Sequence, residues 1–222
     1  MDAKAHWDRL YLSKRPDEVS WYQPEPTLSL DLILRVAPTR HEAIVDVGGG
    51  TSTLVDRLLE RGYSRLTVVD LSPAALAQSR TRLGAQASRV QWLEADVLEV
   101  DLGLGTIDVW HDRAAFHFLT DAADRQKYTA QVRRAVRPGG YVLIATFADD
   151  GPTTCSGLPV NRYSPDALHR EFGDGFRLVE SVREQHVTPT GRLQAFVYCL
   201  CRHEPVASSD VTRPHHEVMP DG

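Results

Sequence analysis

The chain has 222 residues, 42% of them apolar and 25% charged, with a formal charge of −5. That length accommodates one α/β domain with a full core, and the composition is that of an ordinary globular protein rather than a disordered or fibrous one. Nothing in these totals suggests a phosphate-backbone binder, so DNA and RNA are not expected as partners.

Residues 1–40 are polar and aromatic, with Trp7, Tyr11, Trp21 and Tyr22, and read as a lid or cover. Within them the apolar spacing predicts an amphipathic helix from Thr27 to Val36, stopped near Pro38. MDAKAHWDRL has no basic region followed by an apolar stretch, and the longest apolar runs, such as Tyr141 to Ala148, are strand-sized. Neither a secretory leader nor a membrane span is expected, and the cytoplasm is the expected compartment.

From Ala43 the pattern changes. AIVDVGG reads as a strand ending in glycines, and TSTLVDRLLERG as a helix stopped at Gly62. LTVVD is a second strand, SPAALAQSRTRLG a helix capped by Ser72 with Pro73 at its first position, and VQWLEAD a third strand. IDVWHD follows as a fourth strand, DRQKYTAQVRRAVRPGG as a helix closed by proline and glycines, and YVLIATFA as a buried fifth strand.

Residues 149–164 form a Gly- and Pro-bearing loop before a short helix, PDALHREFG, and two strands, FRLVESVREQ and LQAFVYCLCR. The alternation predicts an α/β fold, a doubly wound, mostly parallel seven-stranded sheet closed by an antiparallel hairpin, with residues 41–202 as its domain. Residues 203–222 lack periodicity, are rich in Pro, Ser, Asp and His, and read as a disordered tail. Cys155, Cys199 and Cys201 form no CxxC pair, and reduced thiols are expected; His215 and His216 do not make a metal site.

The chemistry concentrates where strands end. Asp46-Val-Gly48-Gly49-Gly50-Thr-Ser52 lies between a strand and a helix, and its glycines let the backbone approach a ligand that a Cβ would push away. Asp70 ends the next strand, where a carboxylate accepts both hydroxyls of a ribose, and Leu71 follows it. Asp96 ends the third strand on the same edge, beside Val97, placed to accept from an exocyclic adenine amine.

DVGGGTS, VVD, EADV, IDVWHD and RPGGYVLIATF together resemble the successive motifs of class I S-adenosylmethionine-dependent methyltransferases, over residues 40–202. The resemblance implies that Gly48 and Gly50 hold the methionine end of the cofactor, that Asp70 holds the ribose and that Asp96 faces the adenine. It also implies a last strand antiparallel beside the sixth, S-adenosylhomocysteine as product, and no metal. Ser52 stands where the family often has a third glycine. HWDRLY followed by SWYQPEP resembles the leader of several small-molecule methyltransferases and of some protein-lysine methyltransferases, in which aromatics close over the methionine moiety; Trp21 and Tyr22 are the candidates.

On the acceptor side, His111 and Asp112 stand at the end of the fourth strand and are candidates to orient or deprotonate an acceptor. His117, beside Phe116, and the loop residues Cys155, Asn161, Arg162 and Tyr163 are candidates to line its pocket. A small-molecule acceptor is favoured by a compact chain with no accessory recognition domain, with a protein lysine as the alternative. An NAD-dependent oxidoreductase is disfavoured because Thr53 occupies the last glycine position of GxGxxG. A catalytically silent binding module is disfavoured by the intact acids at three strand ends.

Overall fold

A computed structural model describes residues 2–204. Five parallel strands, β1 (Ile44–Val47), β2 (Leu66–Asp70), β3 (Val90–Glu94), β4 (Ile107–Arg113) and β5 (Val136–Phe147), join an antiparallel pair, β8 (Phe176–Val187) and β9 (Leu193–His203). Their order is β3-β2-β1-β4-β5-β9-β8, so β9 inserts between β5 and β8 and runs antiparallel to both. Loop 149–164, expected to be irregular, holds a small hairpin of β6 (Thr154–Cys155) and β7 (Leu158–Pro159). The fifth strand begins earlier than its apolar run, because the preceding helix ends at Ala135 ahead of Pro138 and of Gly139 at φ +78°.

Among the described residues six α-helices cover the sheet: α1 (Ala3–Ser13), α2 (Thr27–Val36), α3 (Leu54–Glu60), α4 (Pro73–Leu83), α5 (Ala122–Ala135) and α6 (Pro165–Phe172). Strand side chains alternate between faces, and the two resulting cores divide accordingly. Ile44, Val68 and Leu143 pack with Leu30 and Ile33 of α2 and with Leu58 of α3, whereas Val45, Trp110 and Ile144 pack with Tyr128 and Val132 of α5 and with Phe172 of α6.

Sequence periodicity missed α1, which is poorly amphipathic and has a single buried residue, Tyr11. The helix starts at Asp2, whose carboxylate accepts from the Ala5 amide. It docks on the N-terminal end of α4, where Asp8 Oδ1 accepts from Ser72 Oγ at 3.0 Å and from the Ala74 amide at 3.1 Å. A carboxylate is stabilised there by the unpaired amides of the helix start. The expected tail needs correction at its beginning: His203 belongs to β9, buried and stacked on Phe176, and Glu204 donates its amide to Gly175. Residues 205–222, including His215 and His216, lie outside the described residues. Among the described residues no helix is long and apolar enough to cross a membrane.

Candidate active site

Three strand ends and the N-terminal cover enclose a cleft of about 340 Å³ at the carboxyl edge of the sheet. Its floor is Gly48 after β1, Asp70 and Leu71 at β2, and Asp96 and Val97 after β3. This is the edge at which open α/β sheets bind ligands.

The glycines here are required by space as well as by conformation. Gly48 has φ +63°, and a Cβ on it would stand 2.6 Å from Ala115 Cβ; a Cβ on Gly50, at φ +37°, would stand 2.9 Å from Asp70 Oδ2. The loop therefore leaves the backbone bare beside the Asp70 carboxylate. Asp70 is 8% exposed and accepts from the Ser72 amide at 2.8 Å, and burial raises its pKa to about 6. Asp96 accepts from the Leu98 amide at 2.9 Å, which fixes the turn after β3.

The far wall comes from the cover. Trp7 and Tyr11 of α1, Trp21 of the following strap and Phe118 after β4 meet around the mouth. Trp7 packs edge-on against Phe118 at 4.8 Å and Trp21 at 5.9 Å. The strap is tied to the body at several points: Arg113 Nη1 donates to Trp21 O at 2.9 Å, Thr53 Oγ1 to Gln23 O at 2.9 Å, and Gln23 Nε2 to Glu184 at 3.0 Å. Arg113 also donates from Nε to the Tyr198 hydroxyl at 2.8 Å and stands 3.5 Å from Glu184.

The two residues expected to handle the acceptor are placed elsewhere by strand alternation. His111 points to the α2 face, its Nδ1 2.7 Å from Asp46 Oδ1 and its Nε2 2.9 Å from Ser29 Oγ, so both ring nitrogens are engaged. Asp112 points to the α5 face and is fully buried, accepting from the Ala115 and Phe116 amides and from the Tyr128 hydroxyl at 2.6 Å. Burial lifts its pKa to about 6. Its carboxylate anchors the turn at Ala114, a non-glycine residue at φ +69° that lines the cleft.

The other expected residues divide in the same way. Tyr22 and Gly49 border a smaller recess of about 40 Å³ behind the glycine loop, together with Asp46 and His111. His117 is fully buried between Phe118 and Phe147, accepts from the Phe147 amide, and is held neutral by desolvation with its pKa near 3. Tyr163 donates to Glu171, and Arg162 to the Gly151 carbonyl, outside the cleft. Cys155 borders a separate hollow with Ser20 and Thr190, and burial raises its thiol to about 11. The cleft instead uses Trp7, Tyr11, Phe118 and Arg113. The first two belong to the aromatic cover expected over residues 1–40, and the helix that carries them is signalled only by an N-cap at Asp2 followed by Trp7, Leu10 and Tyr11 at helical spacing.

Residues 44–140 match the methyltransferase-domain family. Over that span the chain is similar to methyltransferases. The matched span runs from β1 into β5 and contains every floor residue of the cleft. Over 116 residues the chain is 29% identical to a ubiquinone/menaquinone biosynthesis C-methyltransferase UbiE of Paracoccus denitrificans, covering 51% of this chain and 45% of that one. It is 27% identical over 135 residues to the O-methyltransferase cnsE of Penicillium expansum, covering 60% and 47%. The chain thus spans about half the length of these curated relatives. The methyltransferase fold is shared with the crystal structure of a Burkholderia thailandensis 1,6-didemethyltoxoflavin-N1-methyltransferase, with bound 1,6-didemethyltoxoflavin and S-adenosylhomocysteine, at TM-score 0.70 and 22% identity, covering 90% of this chain and 88% of that one. Among the described residues no three His, Cys, Asp or Glu side chains converge as metal ligands.

Proposed function

We propose that the protein transfers the methyl group of S-adenosylmethionine to a small-molecule acceptor. The observation that carries this reading is the glycine loop bared against a buried carboxylate, Asp70, with Asp96 on the same edge one strand farther. In this reading Gly48 and Gly50 admit the methionine end, Asp70 accepts the two ribose hydroxyls, and Asp96 and the Val97 amide meet the adenine. Leu71 and Leu98 supply apolar contact to the base, and Trp21 covers the sulfonium end, whose positive charge is attracted to aromatic faces. When bound, the cofactor supplies an electrophilic methyl group on a positively charged sulfur. The protein's part is to position and to exclude water: the Arg113-held strap and α1 close the mouth, and Asp112 fixes the turn at Ala114 against which the reacting end rests. The small acceptor is supported by the enclosed mouth and by the small-molecule activities in the names of relatives.

Titration calorimetry with S-adenosylmethionine, S-adenosylhomocysteine and NAD tests the reading. Binding of the first two and not the third is the expected result; binding of NAD alone, or of none, overturns it.

A further inference from the structure

The ionisable groups that line the cleft are each committed to another partner. Asp70 and Asp96 hold backbone amides of the floor, Asp121 caps α5 through the Ala123 amide at 2.7 Å, and Asp124 pairs with Lys127 at 3.5 Å. The Tyr128 hydroxyl donates to Asp112, and Tyr11 is buried with its pKa raised by desolvation next to Asp70. Arg113 is a cation that cannot take a proton. His111 and His117, the two histidines flanking this wall, have their nitrogens engaged or sealed in the core. Apart from Asp121 and Asp124, whose carboxylates stand at solvent, the cleft offers no side-chain base that the fold or the proposed cofactor does not already engage. The mouth, meanwhile, is built of flat surfaces: Trp7, Trp21 and Phe118 in edge-to-face contact, with Leu119 beside them and the Arg113 guanidinium at their base.

Resting on the methyl-transfer reading, we infer that the acceptor is a planar conjugated ring that stacks on Trp7 and Phe118 and arrives with its attacking atom already unprotonated. An aromatic wall binds flat rings through large contact area and offset or edge-on geometry, and it gives an aliphatic chain no comparable fit. A ring nitrogen, or an acidic ring hydroxyl ionised near neutrality, has a free lone pair without a base. In the transfer, that lone pair forms the new bond to the methyl carbon, the carbon–sulfur bond breaks with its electron pair staying on sulfur, and any acceptor proton has already gone to water.

The test uses the full chain, tritium-labelled S-adenosylmethionine and two acceptor panels: phenols, hydroxyquinones and N-heteroaromatics of graded acidity, and aliphatic alcohols and amines of similar size. Turnover confined to the planar panel is expected, with the pH midpoint of kcat/KM following each acceptor's own pKa. Trp7→Ala should raise the KM of planar acceptors, and their calorimetric Kd on the S-adenosylhomocysteine complex, by about tenfold, while Trp7→Phe restores most of it. Affinity for S-adenosylhomocysteine, whose cleft Trp7 also borders, should fall by clearly less than affinity for the planar acceptors in both variants. Turnover of aliphatic acceptors, no turnover in either panel, a midpoint fixed across the series, or a Trp7→Ala loss no larger for planar acceptors than for S-adenosylhomocysteine would each overturn the inference while leaving methyl transfer standing. Failure of the wild-type chain to bind S-adenosylhomocysteine would overturn methyl transfer itself, and this inference with it.

Discussion

Replacing Asp112 separates a role in the reaction from a role in the scaffold. The carboxylate is fully buried and satisfies the Ala115 and Phe116 amides and the Tyr128 hydroxyl, which in turn accepts from Trp110 Nε1 at 2.8 Å. Asp112→Ala strands three buried donors, each costing about 1–3 kcal/mol, so with partial relaxation the loss should be about 3–5 kcal/mol. That is a large share of a domain stability of about 5–15 kcal/mol. Asp112→Asn keeps an oxygen for the amides but turns an N–H₂ toward the Tyr128 hydroxyl, and should cost about 1–2 kcal/mol. The folded pKa of Asp112, about 6, lies above its ordinary 3.8. Its contribution is therefore complete below about pH 4 and is lost as pH rises through about 6. The penalty of Asp112→Asn should accordingly be larger at about pH 3.5 than at about pH 7, on either side of that window. Urea unfolding followed by tryptophan fluorescence at about these two pH values measures both quantities. An Asp112→Asn protein of unchanged stability that nonetheless fails to transfer methyl would refute this reasoning and return Asp112 to the chemistry.

Three further outcomes follow from the same geometry. In the proposed role Asp70 accepts ribose hydroxyls in its ionised form, and burial puts its pKa at about 6; affinity for S-adenosylhomocysteine should then be flat above about pH 7 and weaken by up to about tenfold per unit below about pH 6, as calorimetry across pH would show. Gly48→Ala places a methyl 2.6 Å from Ala115 Cβ at φ +63°, and should destabilise by about 1–3 kcal/mol and weaken cofactor binding, checked by thermal unfolding with and without S-adenosylhomocysteine. Asp8→Ala removes the acceptor for Ser72 Oγ and the Ala74 amide; a cost of about 1 kcal/mol is expected, with faster hydrogen exchange confined to α1 and the start of α4.

Much of this architecture can be read from the chain because local rules and packing agree. The sequence locates α2 at Thr27–Val36, β2 at LTVVD and α4 between Ser72 and Gly84, since capping, proline placement and periodicity coincide there. The cleft floor is legible for a related reason: a residue at the end of a parallel strand meets the carboxyl edge whatever surrounds it. His111 and Asp112 were harder to place. They still lie within β4, paired with Asp46 and Val47 of β1, and consecutive strand residues point to opposite faces under opposite helices. A one-residue error in where a strand ends decides whether a side chain meets ligand or core, and no periodic signal sets that end. Trp7 and Tyr11 were legible as part of a cover, but the helix that carries them was not, because α1 is held by polar contacts to α4 that leave no pattern in its own sequence.

The insertion of β9 between β5 and β8 has a consequence for how the chain is made. Until residues 193–203 have left the ribosome, β5 has an open edge and β8 has no partner in the sheet, although every residue of the cleft is already synthesised. Unpaired strand edges are sites of association between nascent chains. A stop codon shortly before Leu193 should therefore yield a chain with the complete glycine loop and all its acids that aggregates instead of binding, since the last strand made is the one that closes the sheet.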